Sequence, residues 1–425
     1  MMYSSVLHNR NFILYGLSWV LSKAGTSISA IAFLLLVYNS THSGVETAGV
    51  ALAETIPYAL FGLIGGVAAD RLRKKRTLVS LDAVQGMILI TSTSLYYFHA
   101  LTYLAILVIT FLIETIGCVY NPTSRAVLPI IIRPDDRVPA NSLMDISTRG
   151  TQLAGPAAAY FLLHWIGYGA FFIADGASYL LSASIILFLH VPHTPHTASN
   201  PPSTTKPRSI VITVYQPIAQ FAKFAWRIPD VRNLFLATTL VVFFNTWVWQ
   251  IGLLLQAESL FHNGEQAYSL FLICFTVFSI GVSLVVPFRF KALRISHYLM
   301  GAALWGVGII GIGIAHHGGL IAIFAMVVGV GMPIASLSRV FMLQDKVPDT
   351  MRGRAFSFSA VLLYLSNTVS LALFGMMSHF VSIRALFDIS GLGIILITCV
   401  YALLVKLAPL CRRHTMDASK FPIER

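Results

Sequence analysis

Apolar stretches long enough to cross a lipid bilayer follow one another along the whole 425-residue chain. A helix needs about 20 apolar residues to cross the hydrocarbon core. Charged residues make up only 11% of the chain and its mean hydropathy is +0.76, more apolar surface than a soluble fold could bury. The sequence therefore predicts an all-α membrane protein. The predicted spans are 12–37, 47–69, 77–97, 102–121, 140–163, 169–190, 233–256, 267–288, 296–315, 319–342, 355–380 and 384–407.

The lysines and arginines fall almost entirely on alternate links between these spans. Of the 29 such residues, 26 lie at the N-terminus, in every second link or in the C-terminal tail. The others are Lys23 and Arg149 inside spans and Arg384 on the opposite set of links. Because positive residues stay cytoplasmic, both termini are predicted to be cytoplasmic. The net charge of +12 then faces anionic lipid, which argues against a nucleic-acid partner.

One long link near the middle of the chain divides the spans into six plus six. Its first part is rich in Pro, Ser and Thr, and its residues 210–227 predict an amphipathic helix at the membrane surface. Arg-containing turns that begin at Arg125 and Arg339 follow spans four and ten, which supports a duplicated architecture. The predicted domains are an N-terminal six-helix half (1–190), a cytoplasmic linker (191–232), a C-terminal six-helix half (233–407) and a cytoplasmic tail (408–425).

The link between spans two and three carries the most specific motif of the chain. It reads Gly-Gly-Val-Ala-Ala-Asp-Arg-Leu-Arg-Lys-Lys-Arg over residues 65–76. This run resembles the signature loop of the major facilitator superfamily, G-x-L-A-D-R-x-G-R-K. The alternative interpretation is a simple positive anchor, but Asp70 between a glycine-rich helix end and five cations favours a gating motif. The matching residues are Gly66, Ala69, Asp70, Arg71, Lys74 and Lys75.

Asp70 is also predicted to have a partner far along the chain. An anion is stabilised near the N-terminus of a helix, and the start of span eleven, at Gly353 and Arg354, is the expected neighbour. Arg354 would add an ion pair. Together these contacts are predicted to close the cytoplasmic side of the protein.

Further short motifs are similar to those of the drug and siderophore exporters of this superfamily, in the branch that includes macrolide efflux and enterobactin exporter proteins. The resemblance covers nearly the whole chain and implies the major facilitator fold, twelve helices in two six-helix halves around a cavity lined by spans one, four, seven and ten. Gly155 and Pro156 match the Gly-Pro motif of span five in drug/proton antiporters. Other matching pieces are Asn121-Pro122, Ala140-Asn141-Ser142-Leu143, Asp175 with Ser178-Tyr179, and Arg352-Gly353-Arg354.

Ionisable side chains inside the spans are the candidate functional groups, because each costs at least a few kcal/mol to bury and usually faces a cavity or a partner. Lys23 in span one and Glu114 in span four are predicted near the membrane midplane, on the wall of the implied cavity. Glu114 is the candidate for proton or substrate binding, with Glu54 in span two as a second proton candidate. The alternative for Lys23 and Glu114 is a permanent structural ion pair.

Other charged residues of the spans are predicted to form structural ion pairs. Asp145 and Arg149 lie one helical turn apart in span five, so their side chains can pair on one face. Asp82 in span three and Asp175 in span six are placed in the same structural class. A role in transport is the alternative for the Asp145–Arg149 pair.

Span seven adds polar and aromatic candidates for substrate contact. Asn245, Trp247 and Gln250 lie in a run with further aromatic residues, which suits a large, flat or cationic ligand. The tryptophans could equally form an interfacial belt. Both interpretations stay open from the sequence.

The chain shows no P-loop, no catalytic-triad spacing and no metal-ligand spacing, so the sequence predicts no enzyme, no cofactor and no metal site. The predicted function is secondary transport, as a proton-driven exporter of an amphipathic small molecule such as a drug or siderophore. An uptake symporter, or a receptor or scramblase on the same fold, is the alternative. The protein is expected to be a monomer in the cell inner membrane.

Overall fold

The computed structural model describes residues 2–41, 44–191, 210–261, 264–377 and 380–418, and every regular element in these ranges is a helix. A π-helix, Val248–Gly252, joins α8 to α9, and single 3-10 turns precede α6 and α13. The helices are α1 (Met2–Leu7), α2 (Arg10–Thr41), α3 (Gly44–Arg71), α4 (Lys74–Tyr97), α5 (Tyr103–Ile131), α6 (Arg137–Leu187), α7 (Ile210–Arg227), α8 (Pro229–Trp247), α9 (Leu253–Leu260), α10 (Gly264–Arg289), α11 (Ile295–Ile314), α12 (Gly318–Lys346), α13 (Arg352–Met377) and α14 (Ile383–Ala418).

The predicted fifth and sixth spans lie in one element, α6, and not in two helices separated by a loop. Gly167 interrupts this element with φ of +71° and ψ of 171°. Residues other than glycine rarely adopt that conformation. A kink at this glycine therefore stands where a loop between the two spans was expected. With α6 counted as two segments and α8–α9 as one, the described residues hold twelve helical segments of about 20 residues or more besides the shorter α7, which agrees with the predicted all-α fold.

The outward surface of these helices is apolar, as a lipid environment requires. Eight helical segments of the described residues are long and apolar enough to cross a membrane. Large apolar side chains such as Leu52, Leu60 and Leu396 are more than half exposed, which would be unfavourable on a water-facing surface. Proline also lies inside several helices, for example Pro122 and Pro333. Membrane helices tolerate such interruptions because neighbouring groups take up the freed backbone atoms.

The chain divides into two compact units. The first comprises Met1–Val231, Ser283–Ala292 and Val340–Leu365, and the second comprises Arg232–Val282, Leu293–Arg339 and Ser366–Arg425. In the first unit, α6 packs against α2 and α4, and α3 packs against α5. In the second unit, α11 packs against α14. The candidate site described below lies within the first unit.

The amphipathic helix predicted for the central link is α7, and it occupies the same residues, 210–227. Its buried face carries Phe221, which is 1% exposed and meets the ring of Phe358 edge-on at 5.7 Å between centroids. Its opposite face exposes Tyr215 and Trp226. This helix therefore covers the beginning of α13 with its apolar side.

Candidate substrate cavity and cytoplasmic gate

A polar cavity of about 170 Å³ opens between α2, α3, α4, α5 and α13. Sites for drug-sized ligands span roughly 300–1,000 Å³, so this cavity must widen to enclose such a molecule. The lining combines one lysine, one glutamate, two amides and three tyrosines. Its residues are Ser22, Lys23, Thr26, Tyr58, Gln85, Ile113, Glu114, Gly117, Tyr120, Asn121 and Tyr364.

Lys23 is held in this wall by an amide and an aromatic ring. Its Nζ donates to Asn121 Oδ1 at 2.9 Å and lies 5.1 Å from the centroid of the Trp19 ring. Asn121 Nδ2 in turn donates to the Tyr58 hydroxyl at 2.6 Å. The Tyr58 ring stacks on Tyr364, with centroids 4.3 Å apart. Neutral groups thus position the Lys23 ammonium at the cavity, where Glu114 is near enough to interact with it electrostatically.

Glu114 faces the same cavity without pairing with Lys23. Among the described residues, neither side chain takes part in an ion pair within 4.0 Å. Glu114 also lines a second, smaller space of about 10 Å³, and Glu54 is part of the same lining. The structure therefore brings Lys23 and Glu114 together at one cavity, as predicted, but the Lys23 ammonium donates its hydrogen bond to Asn121 and not to Glu114.

Asp82 and Asp175 differ from the prediction of structural ion pairs. Asp82 is completely buried and accepts hydrogen bonds from Ser182 Oγ at 2.6 Å and from Ser22 and Tyr120 at 3.4 Å each. Asp175 accepts from the hydroxyls of Ser29 and Ser178. In the described part of the chain, no lysine or arginine pairs with either carboxyl, because the facing helix turns carry serines and tyrosines.

Asp145 and Arg149 do lie in contact, one turn apart on α6. Arg149 Nε donates to Asp145 Oδ2 at 2.7 Å. The same oxygen accepts from Ser283 Oγ at 2.8 Å, which ties this pair to the end of α10. Gly155 lies buried further along α6, while the side-chain placement of Pro156 is outside the described part of the structure.

The motif-bearing link meets the start of α13. Asp70, 7% exposed, accepts from the backbone N–H of Gly353 at 2.6 Å and of Arg354 at 3.2 Å. Arg354 Nε donates to the same carboxylate at 2.7 Å. These are the partners that the sequence predicted. Because an added Cβ on Gly353 would lie 2.6 Å from the Asp70 carboxylate and 2.8 Å from the carbonyl oxygen of Gly66, glycine is needed for this approach.

The remaining atoms of the Arg354 guanidinium bind two further backbone carbonyls. Nη1 donates to Pro217 in α7 at 3.0 Å, and Nη2 donates to Thr350 at 2.7 Å. Arg71, Lys74 and Lys75 make no ion pair among the described residues. Arg354 is therefore the group that joins α3, α7 and α13 at this end of the bundle.

A second contact at the predicted cytoplasmic end was not foreseen from the sequence. Asn141 Nδ2 donates to Gln344 Oε1 at 2.6 Å, and Gln344 Nε2 donates to Asn141 Oδ1 at 3.1 Å. Arg352 donates through Nε and Nη2 to the backbone carbonyl of Gln344 and pairs with Asp349. Reciprocal amides of this kind bring the start of α6 to the end of α12.

The candidates from span seven lie in the second unit. Asn245 Oδ1 accepts from Trp305 Nε1 at 2.8 Å and is buried, so its side chain holds α8 against α11. The side-chain placement of Trp247 and Gln250 lies outside what the structure describes. The backbone of Gln250 belongs to the π-helix, a feature that often marks functional sites.

The cavity residues that were not predicted as site residues include Tyr58, Asn121 and Tyr364. Asn121 had a detectable signal, since a polar residue directly before an intrahelical proline is unusual inside a span. The two tyrosines had none, because aromatic residues occur throughout these spans. Their importance follows only from their position beside Lys23.

Twelve long helical segments, a lipid-facing surface and a polar cavity define this protein as a membrane transporter of the major facilitator type. The chain belongs to the major facilitator family described as transmembrane secretion effector, which it matches over residues 4–424. Membership confirms the predicted superfamily and the prediction of a transporter and not an enzyme.

Individual relatives are distant but nearly full-length. The staphyloferrin A transporter of Staphylococcus aureus is 21% identical over 381 residues, covering 89% of this chain and 92% of the relative. The MFS-type transporter YfmI of Bacillus subtilis is 22% identical over 392 residues, with the same coverages of 89% and 92%. A bacterial homologue of the iron transporter ferroportin superposes with a TM-score of 0.71 at 15% identity, covering 93% of this chain and 99% of that structure, which confirms the fold.

Proposed function

We propose that this protein is a proton-driven exporter of an amphipathic small molecule, of the drug or siderophore kind, in the cell inner membrane. The observation that carries the proposal is the cavity in which Lys23 and Glu114 face the same space without pairing. Ionisable side chains inside a membrane protein are costly and mark substrate or proton pathways. The relative that transports staphyloferrin A supports a substrate of the siderophore kind.

In this proposal the two charges have different roles. Lys23, oriented by Asn121, binds an anionic group of the ligand, while the stacked rings of Tyr58 and Tyr364 contact its apolar part. Glu114 exchanges a proton with the cavity, and its neutral form lowers the cost of the empty, buried site. Proton entry on one side and ligand release on the same side would then couple the two fluxes.

The cytoplasmic contacts give this cycle a gate. Asp70 with Gly353 and Arg354, and Asn141 with Gln344, hold the predicted cytoplasmic helix ends together. Loading of substrate from the cytoplasm requires these contacts to part. We therefore assign them the role of an inner gate that closes while the cavity discharges outward, with both termini cytoplasmic and the protein working as a monomer.

Export against a gradient tests the proposal. Expression in an efflux-deficient, drug-sensitive host with a panel of antibiotics and siderophores identifies the substrate. Flux is then measured in proteoliposomes under an imposed pH gradient, with Glu114→Gln as the test variant and Glu46→Gln, a glutamate outside the cavity lining, as the matched control. We expect Glu114→Gln to lose gradient-driven export while keeping substrate binding and downhill exchange.

Three outcomes contradict the proposal. Pumping by Glu114→Gln at the parent rate, with the same response to pH, removes the proton role of this glutamate. Accumulation of substrate in the direction of proton entry would show uptake symport, the alternative mode. Absence of substrate flux in the parent protein across the whole panel would favour a receptor or scramblase.

A further inference from the structure

Asp82 lies behind the wall of the cavity, where four helices meet. It belongs to α4, and its hydroxyl partners come from three other helices, Ser22 on α2, Tyr120 on α5 and Ser182 on α6. The carboxyl is 0% exposed. Two of the three partners, Ser22 and Tyr120, also line the cavity. The site is therefore closed to bulk water but is connected to the cavity through two hydroxyl groups.

Among the residues that the structure describes, no lysine or arginine pairs with Asp82. The titratable and charged groups on the helices packed around it include Tyr15 and Lys23 on α2, Glu54 and Tyr58 on α3, Glu114, Tyr120 and Arg125 on α5, and Asp145, Arg149, Asp175 and Tyr179 on α6. Of these, only Tyr120 is within hydrogen-bond distance of Asp82 in the described structure. Lys23 is directed to Asn121. Hydroxyls can donate to a carboxylate, but they can also accept from a protonated carboxyl after rotating.

Such an environment accommodates both protonation states of the carboxyl. An isolated buried carboxylate is very costly in a medium of low dielectric constant and is commonly relieved by binding a proton. A purely structural role would be served as well by asparagine or threonine, without this cost. The short bond from Ser182 stabilises the charged form, while the absence of a cation leaves proton binding open.

We propose that Asp82 is a second proton-binding site, which exchanges its proton with the cavity through Ser22 and Tyr120. Inward transfer moves the hydroxyl proton of Tyr120 or Ser22 to a carboxylate oxygen of Asp82 while the same hydroxyl oxygen takes up the excess proton of a hydronium ion in the cavity, which leaves water. Outward transfer is the reverse, so no other reactant is needed. The inference extends the proton coupling of the proposed function to a carboxyl outside the cavity lining.

The test uses purified full-length protein without substrate, so its failure is distinguishable from failure of the proposed export. Infrared difference spectra are recorded while the pH is changed from about 5 to about 10. We expect a protonated-carboxyl C=O band that titrates in the parent, is lost in Asp82→Asn and is retained in the matched control Glu114→Gln. If Asp82→Asn keeps every titrating band of the parent, the proposal is overturned.

Two further measurements address folding and the route. If Asp82→Asn does not fold, aspartate-specific isotope labelling of Asp175→Asn protein identifies the band. The other buried aspartate described, Asp70, is paired with Arg354, and the partly buried Asp145 is paired with Arg149. If the titrating band of the Asp175→Asn protein does not shift with the aspartate label, the inference is contradicted. Hydrogen–deuterium exchange of the band is expected to slow in the Ser22→Ala, Tyr120→Phe double variant, and exchange at the parent rate excludes the hydroxyl route.

Discussion

Replacing Asp70 with asparagine is expected to open the cytoplasmic end of the bundle while leaving the helices intact. The carboxylate accepts two backbone N–H groups and the Arg354 Nε–H, so three donors converge on two oxygens. An asparagine can still accept from Gly353 through Oδ1. Its NH2 group would then face the backbone N–H and the Nε–H of Arg354. Both of these groups are donors, so they lose their acceptor.

The size of the effect follows from burial. The side chains of Asp70 and Arg354 are only 5% and 11% exposed, so solvent screens the pair little. Removing one partner of a buried pair costs about 3–5 kcal/mol. We use the lower value, about 3 kcal/mol, because Arg354 keeps the carbonyls of Pro217 and Thr350 as acceptors. This corresponds to roughly a 100-fold larger open population at the gate.

Amide hydrogen exchange measures this opening directly, because the N–H groups of Gly353 and Arg354 are themselves bonded to Asp70. A peptide covering residues 349–358 is expected to exchange up to about 100-fold faster in Asp70→Asn. Asp136→Asn is the matched control. Its partner Arg133 is 76% exposed, and exposed pairs contribute about 0–1 kcal/mol, so little change is expected.

Substrate export is the second measurement on the Asp70→Asn variant. We expect Asp70→Asn to reach the membrane and to lose substrate export, because the inner gate no longer closes. If the peptide exchanges at the parent rate and export is normal, the contact is an incidental feature and the loop is only a positive-inside anchor.

Further predictions concern topology, the second gate contact and helix packing. An epitope tag at His196 is expected to be cytoplasmic, and an external tag there would refute the twelve-span topology. Asn141→Leu and Gln344→Leu should each lower the free energy of unfolding by about 1–3 kcal/mol, because each leaves a buried amide without its partner. In a thermal-unfolding double-mutant cycle, the double variant should lose less than the sum of the two. Additive values would show that the amides act independently. Gly331→Ala should lower the unfolding temperature, because its Cβ would lie 2.5 Å from a backbone atom of α11. Gly281→Ala, with nothing within 4 Å, should not, and equal effects would contradict this packing argument.

The sequence was sufficient for the features that depend on local composition. Apolar length and the positions of lysine and arginine are read one segment at a time, and they predicted the helical spans and the all-α fold. The helix at residues 210–227 followed from its own amphipathic pattern. The approach of Asp70 to the start of α13 was also predictable. Asp70 lies at the end of α3, and the N-terminus of another helix stabilises an anion.

The tertiary structure alone decided which side chains meet. Lys23 donates a hydrogen bond to Asn121 and not to Glu114 at the same cavity, and Asp82 has hydroxyls where cations were expected. These choices depend on the rotation and axial register of neighbouring helices, where one residue of shift turns a side chain by about 100°. Helix periodicity leaves that register undetermined, because many registers bury the same apolar area. The packing of α2, α4, α5 and α6 selects one of them, and with it the chemistry of the cavity.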